Sequence, residues 1–182
     1  PHFNRAVQDY FSNMLHHLEQ LRQRGYRNIG LHLSAGLSKR THGLLHGAYL
    51  FDQTNHNSAP IPVGSDELDT PEELRQWIRK YKMDSLIAEP DIYALFQQSG
   101  LQAPQDIGFS LLSWKNYDPE TPRECAGYDM KAEEVAAGSI SFLVSQIHEN
   151  KYGLSIRPKS LMVSGEFQNG ATIRQRTNHS ES

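Results

Sequence analysis

The sequence of 182 residues predicts an α/β protein: a parallel sheet with helices packed on both of its faces. Residues 85–88 form an apolar run that is long enough for a buried strand and too short for a helix. Residues 92–96 then place apolar side chains at helical spacing, and Gly100 stands where the end of a helix favours glycine. A second apolar run at residues 107–112 completes a strand–helix–strand unit, and such a crossover joins parallel strands.

The first fifty residues predict a similar unit with a long helix in front of it. Apolar side chains recur every three or four positions over residues 3–21, which predicts one amphipathic helix that ends at Gly25. Residues 29–33 then predict a strand, and residues 39–51 predict the helix that follows it.

The middle of the chain predicts a loop, a short strand and a well-marked helix. Residues 52–60 are polar and rich in Asn and Ser, so we expect a surface loop before a short strand at residues 61–63. Thr70, Pro71 and Glu73 then form a helix start in which the Thr and Glu side chains accept hydrogen bonds from each other's backbone N–H groups.

The last third of the chain predicts one more long helix and one more strand. Residues 115–125 form an irregular polar loop, and residues 132–147 carry the apolar stripe of an amphipathic helix. Residues 160–164 predict a final strand. The polar tail at residues 175–182 is predicted to be disordered.

Composition excludes several functional classes. The chain carries 18 Lys and Arg against 21 Asp and Glu, a net charge of −3, so it lacks the basic surface with which a domain grips nucleic acid by itself. Its single cysteine, Cys125, excludes an internal disulfide framework and is typical of a reducing cytoplasm. The sequence contains no apolar run long enough to cross a bilayer, so we expect a cytoplasmic protein without a membrane partner.

Three turns follow the predicted parallel strands, and such turns meet at one edge of a sheet, where ligands bind. These turns are residues 34–42, 89–91 and 113–114. Ser38 and Glu89 offer hydrogen-bonding groups, Arg40 offers charge, and Trp114 offers a flat apolar face. This mixture suits a small polar ligand such as a sugar. Equally, Trp114 could be a core residue and Ser38 a helix cap.

Catalytic and metal-binding patterns are weak, which argues against an enzyme. His42 and His46 stand four positions apart on one helical face, but no third metal ligand accompanies them. The sequence has no Gly-rich phosphate loop and no nucleophile elbow. Glu89 and Asp91 are the only acids in the predicted crevice, so a sugar-converting enzyme would depend on them. We therefore predict no catalytic residue, no metal and no cofactor.

Three segments resemble one known family. Residues 25–30 (GYRNIG) resemble the GHRxIG segment that leads into the first strand of the second lobe in LacI/GalR-type transcriptional regulators. Residues 99–107 (SGLQAPQDI) resemble that family's xGLxVPxDI segment, and residues 161–172 (LMVSGEFQNGAT) resemble its closing LVxGxxxxGxT strand. The resemblance extends over residues 9–174, in the family's order and spacing.

The resemblance implies a periplasmic-binding-protein-like type I sensor, in which two α/β lobes are hinged around a small-molecule effector and the protein is a homodimer. It also implies an N-terminal helix-turn-helix headpiece that binds operator DNA. This headpiece and the first part of the N-terminal lobe are absent from the sequence. Because the sequence begins at Pro1 and not at Met, we expect that something upstream is missing.

By this correspondence, residues 1–174 are a fragment of an effector-binding domain, made mainly of the C-terminal lobe. Residues 25–125 and 158–174 are assigned to the C-terminal lobe, and a helix within residues 128–150 to the N-terminal lobe. The apolar stripe of that helix would lack the sheet it normally covers. We therefore expect the chain to self-associate or the helix to repack.

The resemblance also implies ligand-binding positions. The family's acid at the end of the strand before the hinge falls on Ser113, next to Trp114, and its Asn-Asp pair falls on Glu89 and the proline after it. The Arg of the family's first-turn helix has no clear match; His42 or Leu44 stands nearest to it, with Arg40 close by. Together with the crevice argument, the predicted ligand-binding residues are Ser38, Arg40, His42, Glu89, Ser113 and Trp114.

A dimerisation element of the family matches the helix at residues 91–99. Tyr93 and Phe96 are therefore predicted at a dimer interface, although Phe96 could equally be buried against the sheet of its own lobe. The alternative function is that of a periplasmic solute-binding protein that feeds a transporter. A secretory leader at the gene start would favour this alternative, and a helix-turn-helix would favour the regulator.

Overall fold

The computed structural model describes residues 3–56, 59–65, 67–115, 121–153 and 157–175. In this part of the chain, seven strands form a five-stranded sheet and a two-stranded sheet, and six helices pack around them. In chain order the elements are β1 (Arg5–Gln8), α1 (Tyr10–Arg22), β2 (Ile29–Leu31), α2 (Ala35–Arg40), α3 (Leu44–Asn55), α4 (Pro71–Lys80), β3 (Ser85–Ala88), α5 (Pro90–Gln98), β4 (Gly108–Trp114), β5 (Ala126–Asp129), α6 (Ala132–His148), β6 (Ser160–Val163) and β7 (Glu166–Gln168).

The larger sheet has the strand order β2-β3-β4-β5-β7. The strands β2 to β5 pair in parallel, and β7 closes the free edge of β5 in the antiparallel direction. Every residue of β2 and β3 is buried. Strands buried on both faces read as continuous apolar runs, which is why residues 85–88 predicted a parallel strand correctly.

Helices cover both faces of this sheet, as the sequence predicts. On one face, Leu18 of α1 and Tyr49 of α3 pack with Leu31 of β2. On the other face, Leu74 of α4 and Phe96 of α5 pack against the strands. All five side chains are at most 2% exposed, so the removal of their apolar surface from water stabilises the three layers.

The second sheet consists of β1 and β6, which pair in parallel from Arg5 with Ser160 to Gln8 with Val163. The helix α6 packs against both strands. The assignment of residues 158–174 to the larger lobe is therefore wrong for β6, and only β7 joins the larger sheet. The apolar pattern of β6 suits a strand of either sheet. Periodicity within a segment does not reveal which other strand that segment pairs with.

The predicted N-terminal helix is a strand followed by a helix. Residues 5–8 form β1, and Asp9 then caps α1 by accepting a hydrogen bond from the backbone N–H of Ser12 at 3.1 Å. The apolar positions of β1 happen to fit the helical period, so spacing alone merged the two elements. The helix α1 packs on the larger sheet, which extends that lobe upstream of residue 25.

Two predictions about residues 39–63 also need correction. The helix predicted at residues 39–51 is two helices, because His42 and Gly43 have positive φ angles of 52° and 71° that interrupt the helical hydrogen-bond ladder. Residues 61–63 form no strand, and the described chain beside β2 makes a single bridge between His32 and Gly64.

The helix start at Thr70 is confirmed. The Oγ1 atom of Thr70 accepts from the N–H of Glu73 at 3.2 Å, and Oε2 of Glu73 accepts from the N–H of Thr70 at 3.0 Å. The tail that the sequence predicts to be disordered lies outside the described residues from residue 176 onward. Residues 116–120 of the predicted polar loop lie outside them as well.

The outer side of α6 keeps an apolar stripe. Ile140 and Leu143 are 66% and 59% exposed. No residue of α6 is fully buried. The two-stranded sheet therefore covers one side of the helix only, and self-association of the chain stays a prediction.

Candidate functional site

A cleft of about 320 Å³ opens at the carboxyl ends of β3 and β4, beside the helix that follows β2. This is the edge of a parallel sheet at which turns converge and ligands bind. The polar residues that line it are Gln8, Tyr10, Arg40, Glu89, Ser113 and Lys115. The cleft thus brings together three of the six predicted ligand-binding residues, namely Arg40, Glu89 and Ser113.

Glu89 joins two walls of this cleft. It directly precedes α5, but its side chain does not cap that helix. Instead, Oε1 of Glu89 accepts a hydrogen bond from the backbone N–H of Ser34 at 2.6 Å. Ser34 starts α2, where its Oγ accepts from the N–H of Leu37 at 3.2 Å. A charge-assisted bond therefore fixes the turn after β2 against the turn after β3.

Arg40 lies in the last turn of α2, on the wall of the cleft that this helix provides. Its exposed side chain makes no hydrogen bond or ion pair with any residue that the structure describes. A guanidinium group presents five N–H donors in a planar fork. Arg40 is therefore available to bind an acceptor group of a ligand.

Ser113 and Trp114 lie on opposite sides of the chain at the end of β4. Ser113 lines the cleft. The pairing register of β4 with β5 shifts between Leu111 and Trp114, and Trp114 packs at the border of the core cluster that contains Leu111. The guanidinium of Arg123 lies over the Trp114 ring, 5.3 Å from its centre. The structure therefore places Trp114 outside the cleft, because irregular strands re-aim their side chains.

Ser38 and His42 are not among the residues that line the cleft. The carbonyl of Ser38 accepts hydrogen bonds from the backbone N–H of Gly43 at 2.9 Å and from Oγ1 of Thr41 at 3.2 Å, which closes the end of α2. His42 is exposed at the break between α2 and α3. The sequence predicts one helix that continues through His42, and it does not predict this break.

Several lining residues were not among the predicted ligand-binding residues, and Gln8, Tyr10, Lys115 and Met130 are four of them. Gln8 and Tyr10 flank Asp9, whose side chain caps α1. Asp is a common helix-capping residue, so Asp9 was the sequence signal that a helix begins there and that the preceding strand ends at Gln8. Lys115 directly follows β4, and Met130 directly follows β5. These residues reach the cleft because the carboxyl ends of β1 and β5 meet there as well.

The chain passes between the two sheets three times, and the three crossings lie side by side next to the cleft. They are the links from β1 to α1, from β5 to α6 and from β6 to β7. Asn13 of α1 contacts two of them, since its Oδ1 accepts from the N–H of Gly165 at 2.8 Å and its Nδ2 donates to Sδ of Met130 at 3.5 Å. Asn13 is buried, so this amide group bridges the crossings without water.

Lys131 joins the second and third crossings by ion pairs. Its Nζ lies 2.7 Å from Oε2 of Glu166 and 3.3 Å from Oδ2 of Asp129. The hydrogen bond that Lys131 donates to Glu166 raises the pKa of Lys131, and the same bond lowers the pKa of Glu166. Lys131 also has a positive φ of 52°, so the chain turns sharply where it leaves the larger sheet.

His17 is buried beside these crossings. Its Nε2 lies 2.7 Å from Oγ of Ser110, and its ring stacks on Tyr128 with 5.5 Å between the ring centres. Burial, with a smaller contribution from the neighbouring His16, lowers the pKa of His17 to about 3. The imidazole is therefore neutral at physiological pH.

The two predicted dimer residues differ in exposure. Tyr93 is half-buried, and its hydroxyl group donates a hydrogen bond to Oε1 of Glu124 at 3.0 Å. Phe96 is 2% exposed and packs on Phe109 with 4.8 Å between the ring centres. Phe96 therefore belongs to the core of its own lobe and presents no surface to a partner.

No metal centre is formed by the described residues: no group of three or more His, Cys, Asp or Glu side chains could hold a metal ion. Cys125 is buried, and burial raises the pKa of its thiol to about 12, so it is not an activated nucleophile. Within the described helices, none is long and apolar enough to span a membrane.

No protein-family model and no curated protein sequence matches this chain. Its structure is nevertheless similar to solved structures of transcriptional regulators. A sugar-binding regulator of the LacI family from Escherichia coli, complexed with phosphate, has a TM-score of 0.69 at 15% identity and is matched over 92% of this chain and 63% of that chain. A LacI family regulator from Enterococcus faecium with bound ribose has a TM-score of 0.68 at 11% identity, over 94% of this chain and 66% of that chain.

A transcription-regulator-like protein from Staphylococcus haemolyticus has a TM-score of 0.71 at 9% identity, over 93% of this chain and 61% of that chain. This chain has the fold of LacI-type effector domains. The periplasmic-binding-protein-like architecture predicted from the sequence is thereby confirmed. The chain covers less than two thirds of the length of these three solved proteins, between 61% and 66%.

Proposed function

We propose that this chain is the effector-sensing part of a LacI-type DNA-binding transcriptional regulator and that it binds a small polar metabolite, such as a sugar, in the cleft. The observation that supports this proposal most directly is the position of the cleft. Polar residues from three turns of the larger sheet meet Gln8 of the smaller sheet there, next to all three chain crossings. Two LacI-type structures of similar fold carry ribose or phosphate.

The mechanism follows from the fact that the lining residues come from both sheets. A metabolite that contacts Glu89 and Ser113 on one sheet and Gln8 on the other favours one relative arrangement of the two sheets. A ligand shifts such an equilibrium by the difference between its affinities for the two arrangements. In a cytoplasmic homodimer, this shift would change the spacing of two DNA-binding headpieces. The chain itself performs no catalysis.

A thermal-shift screen of sugars and small metabolites on the purified protein tests this proposal. A ligand that binds only the folded protein at 100 times its Kd stabilises it by about 2.7 kcal/mol, which raises the melting temperature by several degrees. We expect at least one polar metabolite to do so, and we expect Glu89→Gln and Ser113→Ala to reduce its effect. Glu89→Gln keeps an acceptor for the N–H of Ser34, so the fold is retained.

Ser38→Ala and Trp114→Phe are the matched controls, because both residues neighbour the cleft without lining it. The ligand response of these two variants should equal that of the unmodified protein. If the response is unchanged in Glu89→Gln and Ser113→Ala, or is lost only in the controls, the cleft is not the effector site. A protein that responds to no metabolite contradicts the sensor function itself.

A further inference from the structure

We propose that the exposed face of α3 binds the same face of a second copy of this chain, with the two helices antiparallel across a twofold axis near Gly47. This surface, the α3 face, consists of Leu44, Gly47, Leu50 and Phe51. None of these four residues lines the effector cleft. The proposal therefore goes beyond the sensor function and does not depend on the identity of the effector.

The α3 face is apolar and open to solvent. Leu44, Leu50 and Phe51 are 42%, 49% and 50% exposed, and Gly47 between them is exposed as well. With 3.6 residues per turn, positions 44, 47 and 51 lie on one side of the helix, and position 50 lies at the border of that side. Single exposed apolar residues are normal, whereas a contiguous group of them indicates an interaction surface.

No charged side chain interrupts the α3 face. Asp52 is the only Asp, Glu, Lys or Arg in α3, and it is buried in an ion pair with Arg22. The helix α4, in contrast, exposes Glu72, Arg79 and Lys80. Near a twofold axis each residue meets its own copy, so a charged residue would be repelled by the same charge. An uncharged face avoids this repulsion, which favours a second copy as its partner.

Gly47 favours the close approach of a second helix. Unlike Gly43, it is not held in a left-handed conformation, and no atom of the described structure lies within 4 Å of a Cβ atom placed there. Neither backbone geometry nor packing within the described chain therefore requires glycine at this position. Glycine weakens the interior of a helix, but at a helix crossing it lets two backbones come closer than a larger residue allows.

The spacing of the large side chains makes the α3 face complementary to itself. Leu44 and Phe51 stand about 10.5 Å apart along the helix axis, with Gly47 between them. When two copies of α3 cross antiparallel at Gly47, Leu44 of each copy lies beside Phe51 of the other. A groove of about 520 Å³ between α1 and α3 is lined by Leu15 and Phe51, among others, and can receive this leucine. The same contact thus forms twice, as an isologous interface requires.

The α3 face is distinct from the two other surfaces at which this chain was expected to associate. The helix α5, to which the resemblance assigns dimerisation, buries Phe96 in its own lobe. The apolar stripe of α6 belongs to the smaller sheet. A chain with two self-associating faces forms particles larger than a dimer. The contact through α3 is therefore measured after the stripe of α6 has been blocked.

Sedimentation velocity of the full chain with Leu143→Glu, over a wide range of concentration, tests the proposal, because this substitution places a charge in the stripe of α6. We expect an equilibrium between monomer and dimer. Adding Leu50→Glu should weaken dimerisation at least about tenfold, since a carboxylate would be buried beside its own copy. Gln97→Glu adds the same charge to the exposed side of α5, is the matched control, and should leave the dimer unchanged.

Gly47→Gln separates a role in the interface from a role in the fold of the single chain. Glutamine is the better helix former, and its Cβ atom has open space, so the melting temperature of the monomer should not fall. Dimerisation should nevertheless weaken at least about tenfold, because the longer side chain keeps the two helices apart. Unchanged dimerisation with a lower melting temperature would assign Gly47 to the fold alone and overturn its role at the crossing.

Disulfide cross-linking tests the antiparallel orientation. An equimolar mixture of Leu44→Cys and Phe51→Cys should form a mixed disulfide faster than either variant links to itself, because two cysteines bridge only when their Cα atoms are about 4.4–6.8 Å apart. The native Cys125 is buried, which keeps it from competing. Faster self-linking of each variant would overturn the antiparallel arrangement.

Two further outcomes would overturn the proposal as a whole. If the Leu143→Glu variant stays monomeric at the highest concentration, a second copy does not bind the α3 face, and a different protein becomes its candidate partner. If the dimer is lost with Gln97→Glu and retained with Leu50→Glu, the contact belongs to α5.

Discussion

The side-chain oxygen of Asn13 accepts a hydrogen bond from the backbone N–H of Gly165, at 2.8 Å and across 152 positions of the sequence. This contact links the first helix of the larger lobe to the turn between β6 and β7, where the chain returns from the smaller sheet. The nearby Met130 lies on the second crossing and contacts the other end of the same amide group. This buried side chain therefore helps to fix the relative position of the two sheets.

Asn13→Ala should destabilise the protein by about 1–3 kcal/mol, because it leaves the N–H of Gly165 without its partner in a partly buried place. Urea-induced unfolding followed by circular dichroism measures this loss. Ser12→Ala on the exposed side of the same helix is the control and should change the free energy of unfolding by less than about 0.5 kcal/mol. Equal stabilities of the two variants would show that the bridge contributes nothing.

Gly165→Ala should destabilise the protein by about 1–3 kcal/mol for a steric reason. A Cβ atom at this position would lie 2.5 Å from the carbonyl oxygen of Asp129 and would also overlap the ring of Tyr128. The backbone carbonyl cannot move aside, so the turn itself must shift.

Gly36→Ala provides a matched control for this prediction. Gly36 lies in α2, and a Cβ atom there meets nothing within 4 Å. Alanine is the better helix former by up to about 1 kcal/mol, so this variant should be slightly more stable than the unmodified protein. The melting temperatures of the two variants should therefore move in opposite directions, and a shift in the same direction would contradict the steric argument.

The buried His17 predicts a loss of stability in acid. Its pKa is about 3 in the folded protein and about 6.5 when unfolded, so between these values the unfolded state binds more protons. This contribution to stability is complete above pH 6.5 and decreases as the pH falls toward 3, by up to about 1.4 kcal/mol per pH unit. Urea unfolding at pH 7, 6 and 5 measures the slope.

His17→Gln should reduce this slope, because glutamine does not titrate. The unmodified protein, measured at the same three pH values, is the reference for this slope. The absolute stability of His17→Gln is expected to fall at every pH, since its contacts with Ser110 and Tyr128 are lost. The test is therefore the slope of stability against pH and not the stability at any one pH. An unchanged slope would contradict the low pKa of His17 in the folded protein.

The exposed stripe of α6 predicts self-association of the chain. Ile140 and Leu143 are more than half exposed on a helix that has no charged side chain between Glu134 and His148. Contiguous apolar surface of this kind is rare on monomers. Size-exclusion chromatography with light scattering should detect dimers or larger particles, and Leu143→Glu should shift them toward monomers. Ser141→Glu adds the same charge at an exposed position beside the apolar stripe and serves as the control. If the unmodified chain is a monomer, the prediction is wrong.

The sequence predicted those parts of the fold in which local signals agree with the final packing. The short apolar run of β3 and the capping box at Thr70 each carry their own signal, and both are present in the structure. The partner of β6 carries no such signal, because its pairing with β1 depends on residues at the other end of the chain. Periodicity therefore could not predict the pairing of strands that lie far apart in the sequence.

The candidate site shows the same limit at the level of single residues. Arg40, Glu89 and Ser113 could be predicted because turns after parallel strands converge wherever such a sheet forms. Trp114 was misplaced because a shift of register within β4 turns its side chain to the other face. Gln8 and Tyr10 were missed because the helix cap at Asp9 was not recognised as the end of a strand.

The smaller sheet joins the two ends of the chain, since Arg5 and Ser160 are hydrogen-bonded across 155 positions. Closing so long a loop costs entropy that local elements do not have to overcome. We expect β1 and β6 to pair late during folding and to exchange their amide protons sooner than β3 or β4. Trimming a few residues from the start of the chain would remove β1, and with it the only strand on which β6 and α6 can assemble within the described structure.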